Sequence, residues 1–169
     1  INNTSDEKEK LFLLNHFLEG FRGTVFRQTM FAEFEHNIHT LAQNGEALTA
    51  DKLTELYYDL NKKYFGEDIV VDEQIGLEWA RIPHFYYNYY VYQYATGYSA
   101  ATALASQILK EKEPAVDRYL KFLQAGNSDY PIEVLKQAGV DMTAKEPMLS
   151  ALQVFEEKLT EMENLLAKM

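Results

Sequence analysis

Tyrosines are concentrated in one short stretch of this 169-residue sequence. Seven of the 12 tyrosines lie between residues 86 and 98, directly after Pro83 and His84. A buried phenol needs a hydrogen-bond partner and an aliphatic side chain does not, so an ordinary buried helix has little use for such a run. Two interpretations are open: a polar, hydrogen-bonded interior, or a row of O–H and imidazole N–H donors facing a cleft where negative charge develops.

Helical spacing would divide these tyrosines between two faces. Tyr89 and Tyr92 are three residues apart and would be neighbours on one face of a helix. A second face would carry the tyrosines spaced by four residues, which are Tyr86, Tyr90 and Tyr94. His84 follows Pro83 and is expected in a loop, from which a mobile imidazole and two ordered phenols could donate hydrogen bonds to an oxyanion.

The segment Glu35-His36-Asn37-Ile38-His39 has part of the pattern of a metal-binding helix. A zinc-peptidase helix carries two histidines at i and i+4, with a glutamate after the first histidine as the base. Here the two histidines are three residues apart, and Asn37 cannot act as a carboxylate base. Glu35 and His39 do have the i, i+4 spacing, so a metal site and a solvated or hydrogen-bonded helix face both stay open.

Composition argues against several other kinds of site and partner. The absence of cysteine excludes disulfides, thiolate metal ligands and a cysteine nucleophile. The net charge of −10, with no basic cluster longer than Lys62-Lys63, argues against nucleic-acid and anionic-membrane partners. No apolar run approaches the roughly 18 residues of a membrane span. Glycine-rich phosphate loops and the glycines of a serine-nucleophile elbow are also missing.

Apolar periodicity predicts an all-α fold of about seven helices in a single domain. The first helix, or pair of nearly collinear helices, is expected from an N-cap at Ser5, with a kink or break near Gly20 and Gly23. Thr49 is expected to cap the second helix. The predicted spans are 6–43, 50–65, a short segment ended by Pro83, a buried central helix 85–111, 114–125, a short helix between Pro131 and Gly139, and 147–167.

Three stretches together resemble the C-terminal part of the oligoendopeptidase F family, which belongs to the thimet-oligopeptidase-like zinc metallopeptidases. They are FRGTVFRQTMFAEFE at residues 21–35, PHFYYNYYVYQYATG at residues 83–97 and YPIEVLKQAGVDM at residues 130–142. The resemblance covers essentially the whole chain, and the stretches occur in the family's order.

The resemblance implies a mostly helical, cytoplasmic zinc endopeptidase that acts on short peptides in a deep channel. Family members bind zinc through His-Glu-x-x-His and a downstream glutamate. No His-Glu pair occurs in these 169 residues. Residues 1–169 are therefore expected to be the C-terminal helical part of the catalytic domain, inactive alone, whose Zn²⁺ ligands lie in a missing N-terminal part of the same protein.

The resemblance also implies roles for individual side chains. The expected oxyanion donors are His84, Tyr89 and Tyr92. The residues expected to contact the peptide are Tyr86, Arg27 and Gln28, and Tyr86 is also a substitute donor for His84. Behind the donors, the residues expected to support the site by packing or hydrogen bonding are Glu33, Glu35, Tyr90, Tyr94 and Tyr98.

A second hypothesis needs no catalysis. The chain could be a non-catalytic all-α interaction or assembly domain. A fragment that has lost its other half exposes the apolar surface which that half covered, so self-association of the fragment is expected.

Overall fold

The computed structural model describes residue 1 and residues 3–169, which are helical with no β-strand among them. This confirms the all-α class. The α-helices are α1 (Glu7–Phe21), α2 (Arg27–Gln43), α3 (Ala50–Phe65), α4 (Tyr92–Glu111), α5 (Glu113–Ala125), α6 (Pro131–Gln137) and α7 (Glu146–Leu166). A π-helical turn, Arg22–Phe26, joins α1 to α2, and two 3₁₀ segments, Glu73–Arg81 and Pro83–Tyr86, precede α4. Over these described residues, each helix is too short or too polar to cross a membrane.

The described residues form two compact units. The terminal unit combines Ile1–Arg22 with Thr96–Met169, and the inner unit is Gly23–Ala95. All the residues with an expected chemical role lie in the inner unit.

Local capping chemistry sets the helix ends. The Thr49 side chain accepts a hydrogen bond from the Lys52 backbone N–H, as predicted for the start of α3. Gly66 ends that helix with φ +79°, a conformation that side chains with a Cβ rarely adopt. The predicted cap at Ser5 is wrong. Asp6 has the extended backbone of an N-cap, and its carboxylate accepts from the Lys8 N–H at 2.9 Å, which places a negative charge at the positive end of the helix dipole.

The interruption predicted near Gly23 is the π-helical turn. A π turn shifts the backbone register by one residue and leaves carbonyl groups without their usual helical donors. Side chains from the start of α2 supply donors instead. Gln28 Nε2 donates to the Gly23 carbonyl at 3.3 Å, and Thr29 Oγ1 donates to the Val25 carbonyl at 2.7 Å.

In the terminal unit, α1 packs antiparallel to α7. The Phe21 ring lies 4.8 Å from that of Phe155, while Lys10 Nζ, eleven residues earlier, lies 2.7 Å from Glu161. Tyr98 of α4 meets the same Phe21 ring edge to face at 5.4 Å. Tyr98 is partly buried in this apolar contact, and that burial raises its pKa.

The small-residue face of α4 allows a close approach by the end of α6. Its alanines, Ala100 and Ala103, form one buried cluster with Ala138 and Val140. On the neighbouring face, α4, α5 and α6 enclose an open groove of about 1150 Å³. Apolar side chains dominate its lining, among them Leu104, Ile108, Phe122, Leu123 and Val134.

The inner unit has an aromatic core between α2 and α3. Its buried members are Met30, Phe31, Phe34, Tyr57, Leu60, Ile82 and Val91. A buried carboxylate lies at the edge of this core. Glu78 accepts hydrogen bonds from Arg27 Nη2 and from the Tyr57 hydroxyl, both at 2.7 Å, and also pairs with Arg81. Burial favours a higher pKa for Glu78, but the hydrogen bonds from Tyr57 and Arg27 outweigh it and hold the pKa below its usual range.

The substitution Glu78→Gln should destabilise the chain by about 2–3 kcal/mol at pH 7, because it leaves the Arg27 guanidinium without its counter-ion. The low folded pKa of Glu78 means that its contribution exists above the unfolded pKa and is lost as the pH falls through the folded value. The difference between wild type and variant should therefore shrink below about pH 4. Urea unfolding of wild type and variant, at pH 7 and below pH 4, measures the difference in their free energies of unfolding.

The matched control is Glu19→Gln, which breaks the exposed pair of Glu19 with Arg22 inside one helical stretch. It should leave the free energy of unfolding unchanged. Equal losses in the two variants would contradict the special role of the buried carboxylate.

Candidate functional site

The tyrosine stretch is not one continuous helix. Pro83–Tyr86 is a 3₁₀ turn, residues 87–91 are irregular, and α4 begins only at Tyr92. The predicted helix 85–111 is therefore wrong over its first seven residues. Two consecutive residues, Asn88 with φ +48° and Tyr89 with φ +63°, have left-handed backbone that is incompatible with an α-helix.

Core packing fixes both ends of this segment, which we call the tyrosine loop (residues 86–90). Before the loop, the Phe85 ring lies 4.9 Å from Phe34 and 5.4 Å from Phe31. After the loop, Val91 is completely buried in the same core. Because Phe85 and Val91 are both held by the core, the residues between them must leave it and return. The loop side chains consequently face outward.

Two side chains of α2 hold the middle of the tyrosine loop. Glu35 Oε1 accepts a hydrogen bond from the Tyr89 backbone N–H at 2.6 Å. The His39 ring lies against the Tyr89 ring, with 4.5 Å between centroids and 30° between planes. Glu35 and His39, whose i, i+4 spacing left a metal site open, thus both contact Tyr89. Across residues 1 and 3–169, no group of three His, Cys, Asp or Glu side chains is arranged to hold a metal ion.

His84 lies at the centre of a cluster of phenols. Its Nε2 is 3.2 Å from the Tyr94 hydroxyl. The Tyr90 ring stacks on the imidazole at 6.1 Å, and the Tyr87 ring meets it nearly at right angles at the same distance. Tyr90 and Tyr94 were expected behind the donors, and that placement is wrong. They are 41 % and 38 % exposed and contact His84 directly, Tyr90 from the tyrosine loop and Tyr94 from the first turn of α4.

Tyr89 and Tyr92 come from different elements. Tyr92 is the first residue of α4 and Tyr89 lies in the loop, so their predicted position on one helix face is wrong. Both side chains are nonetheless accessible, at 39 % for Tyr89 and 50 % for Tyr92.

The three residues expected to contact a peptide differ in their surroundings. Tyr86 is 73 % exposed. The Arg27 guanidinium is bound to Glu78 and lies 4.7 Å from the centre of the Phe31 ring. Gln28 is bound to the π-helical turn. Arg27 and Gln28 therefore have structural contacts of their own, and their contact with substrate stays a prediction.

The site as a whole is suited to donating hydrogen bonds. A hydrogen bond with the Tyr90 phenol raises the pKa of Tyr94, so the Tyr94 hydroxyl keeps its proton to higher pH than an ordinary phenol. Phenols and a neutral imidazole can each donate to a developing oxyanion without themselves carrying charge.

Sequence reasoning gave Glu35 only a supporting role and did not identify its partner. A signal was present, because Glu35 is four residues after Phe31 and three before Ile38, inside the apolar stripe of α2. A carboxylate on a buried face must find a donor. Nothing in the sequence indicated that the donor is a backbone N–H 54 residues away.

Comparison with known proteins now identifies the chain. The sequence model described as Peptidase family M3 matches residues 1–154. The chain belongs to peptidase family M3. The resemblance to oligoendopeptidase F is thereby confirmed at the level of the family.

Individual relatives of this M3 chain agree with the assignment. It is 73 % identical over 168 residues to "Oligopeptidase PepF" of Bacillus subtilis, covering 99 % of this chain and 25 % of the relative. It is 52 % identical to "Group B oligopeptidase PepB" of Streptococcus agalactiae, covering 99 % and 28 %. The crystal structure of oligoendopeptidase-F from Enterococcus faecium superposes with a TM-score of 0.96 at 51 % identity, covering 99 % of this chain and 32 % of that one. The chain thus spans about a quarter to a third of these relatives.

The contact between His84 and Tyr94 predicts the imidazole tautomer. A phenol donates hydrogen bonds more readily than it accepts them, so Tyr94 should donate to Nε2 and leave the imidazole proton on Nδ1. Nitrogen-15 correlation spectra of the His84 ring, recorded with the imidazole neutral, should show the Nδ1–H form. Tyr94→Phe should turn this single form into a mixture.

Tyr87→Phe is the control for this measurement, because Tyr87 meets the imidazole through its ring and not through its hydroxyl. It should leave the tautomer unchanged. A tautomer that does not respond to Tyr94→Phe would show that the phenol does not set it.

Proposed function

We propose that this chain is the C-terminal helical part of the catalytic domain of a zinc-dependent oligopeptidase. The longer protein would hydrolyse internal bonds of short peptides in the cytoplasm. Membership of family M3 supports the reaction class, and the names of the relatives, which call them oligopeptidases, support short peptides as substrates. The observation that supports the role of this chain is the tyrosine loop with its flanking residues His84 and Tyr92. Its phenols are accessible, and Phe85 and Val91 anchor its backbone to the core.

Within that proposal, His84, Tyr89 and Tyr92 donate hydrogen bonds to the oxyanion that forms when water adds to the scissile carbonyl. Each donor helps only if it binds the tetrahedral oxygen more strongly than the planar carbonyl oxygen. The Nε2 atom of His84 is engaged by Tyr94, so Nδ1 is the nitrogen from which His84 would donate. Tyr86, Arg27 and Gln28 are proposed to contact the peptide.

Zinc belongs to the proposal for the longer protein. The described residues do not fit as its ligands, since Glu35 and His39 both contact Tyr89 and no other suitable group occurs among them.

The donor roles are tested by His84→Ala, Tyr89→Phe and Tyr92→Phe in the full-length protein. Loss of one donor should lower kcat by about 10²–10³-fold, because the lost bond is made mainly in the transition state, and KM should change little. Steady-state kinetics on an internally quenched peptide measure both constants.

Tyr58→Phe removes a phenol hydroxyl of α3 that donates to the Val71 carbonyl, away from the tyrosine loop, and should leave both constants unchanged. The 169-residue chain alone should show no hydrolysis with or without added zinc. Wild-type turnover in all three donor variants would overturn the assignment of the site.

The apolar groove between α4, α5 and α6 supports an interface as a second role. Exposed apolar surface of this extent is typical of a surface that another protein segment covers. The relatives contain additional chain that is available for this, since this chain spans only 25–28 % of the two named above. We propose that the remaining part of the same protein covers the groove.

The isolated chain should therefore bind a dye such as anilinonaphthalene sulfonate and self-associate with increasing concentration, whereas the full-length protein should do neither. Leu123→Glu, which places a charge in the groove lining, should reduce both effects in the isolated chain. Leu109→Glu changes an exposed α4 residue outside the lining and is the control. Equal dye binding by the isolated chain and the full-length protein would refute the covered groove.

A further inference from the structure

Glu35 is an unusual carboxylate in the inner unit. It is 1 % exposed and lies on α2 beside the buried Phe34. Burying a carboxylate is unfavourable unless charges or hydrogen bonds compensate for the lost water. No lysine or arginine among the described residues pairs with Glu35. Its hydrogen bond comes from a single backbone group, the Tyr89 N–H.

That N–H belongs to a strained piece of backbone. Asn88 and Tyr89 both have positive φ, and left-handed backbone is unfavourable for residues with a Cβ, especially for a bulky one such as tyrosine. Such a conformation persists only when its surroundings over-determine it. Phe85 and Val91 hold the ends of the loop, but neither constrains the peptide plane between Asn88 and Tyr89. Glu35 does so directly.

The two contacts with α2 restrain different parts of Tyr89. The Glu35 carboxylate holds its peptide N–H, and the His39 imidazole lies against its ring. A residue whose backbone and ring are both fixed presents its hydroxyl in a defined direction. This matters for a donor, since hydrogen bonds weaken steeply when their geometry departs from linear.

We propose that Glu35 is a positioning residue, whose buried carboxylate holds the Tyr89 peptide in left-handed geometry and so aims the Tyr89 hydroxyl at the reacting carbonyl. The inference rests on the proposed function, which makes Tyr89 an oxyanion donor. It assigns to Glu35 no contact with the substrate. Glu35 acts through Tyr89 alone.

This role explains why a glutamate occupies the position. A charged acceptor binds an N–H more tightly and at shorter distance than a neutral one, in agreement with the 2.6 Å contact. An aspartate would fall short by one carbon–carbon bond, about 1.5 Å, and would lose the contact. A glutamine keeps an acceptor oxygen at the same reach but loses the charge.

The test is a double-mutant cycle in the full-length protein. Glu35→Leu should lower kcat about 10–100-fold and leave KM within about twofold, because a misdirected donor fails mainly in the transition state. Glu35→Gln should recover most of the lost kcat. In the Tyr89→Phe background, Glu35→Leu should have less than about a twofold effect, because the hydroxyl that it aims is already gone.

Glu33→Leu is the matched control. Glu33 lies two residues earlier on α2. It was expected to support the site, but its contacts are with Lys63 and Tyr64, outside the tyrosine loop. It should leave kcat unchanged in both backgrounds. Additive losses from Glu35→Leu and Tyr89→Phe would show that Glu35 does not act through Tyr89, and would overturn the inference while leaving the proposed function intact.

A second measurement does not depend on activity. Amide hydrogen exchange at Tyr89 should accelerate at least about tenfold in Glu35→Leu, return towards wild type in Glu35→Gln and stay unchanged in Glu33→Leu. Unchanged exchange in Glu35→Leu would overturn the inference even if the protein proved to have no peptidase activity. If Glu35→Leu does not fold, Glu35→Asp replaces it, with the same expected results.

Discussion

The arrangement of the inner unit depends on one buried negative charge. Glu78 takes hydrogen bonds from Arg27 of α2 and Tyr57 of α3, and pairs with Arg81 of its own 3₁₀ segment. A carboxylate removed from water must keep its donors, so these three elements cannot move apart without exposing or orphaning the charge. The burial of Tyr57 strengthens the constraint, because it raises the pKa of the phenol and keeps it a donor.

This constraint determines where the tyrosine loop lies. The 3₁₀ segment that carries Glu78 leads through Ile82 into Pro83–Tyr86, and so brings Phe85 into the aromatic core beside Phe34. Phe85 is partly buried against this core and Val91 is fully buried in it, and a continuous helix between them is disfavoured. It would turn some of the intervening rings inward, where each phenol would need a partner. The phenols are therefore accessible because the backbone between Phe85 and Val91 is irregular.

Predictions from the sequence are correct for helix ends that local chemistry determines. They are wrong where contacts between residues distant in the sequence determine the backbone conformation. Helices α3, α5 and α7 lie within about a residue of their predicted spans. The residues that bound them act through their own backbone and nearest neighbours: Thr49 and Gly66 for α3, Gly126 for α5 and Pro147 for α7. The error over residues 85–91 has another cause. Tyrosine and asparagine are only mildly unfavourable in helices, so periodicity carried the predicted helix through them.

Tertiary contacts prevent the predicted helix over residues 85–91. Glu35 binds the Tyr89 N–H from 54 residues away, and Phe31 and Phe34 hold Phe85. The family resemblance indicated which side chains form the candidate site. It did not indicate the backbone conformation that orients them. The π-helical turn is an intermediate case, since Gly23 indicated an interruption without specifying its type.

The backbone conformation matters to the proposed function because the two proposed phenol donors, Tyr89 and Tyr92, are held in different ways. Tyr92 opens α4, whose backbone hydrogen bonds fix its direction independently of the loop. Tyr89 has left-handed backbone, and its direction depends on contacts with Glu35 and His39. Hydrogen-bond donors stabilise a transition state most when their orientation is set before the reaction, since reorienting them during the reaction costs free energy. A helix gives Tyr92 that preorganisation through local bonds. For Tyr89 it must come from α2, and this is a physical reason to bury a carboxylate without a cationic partner in the core.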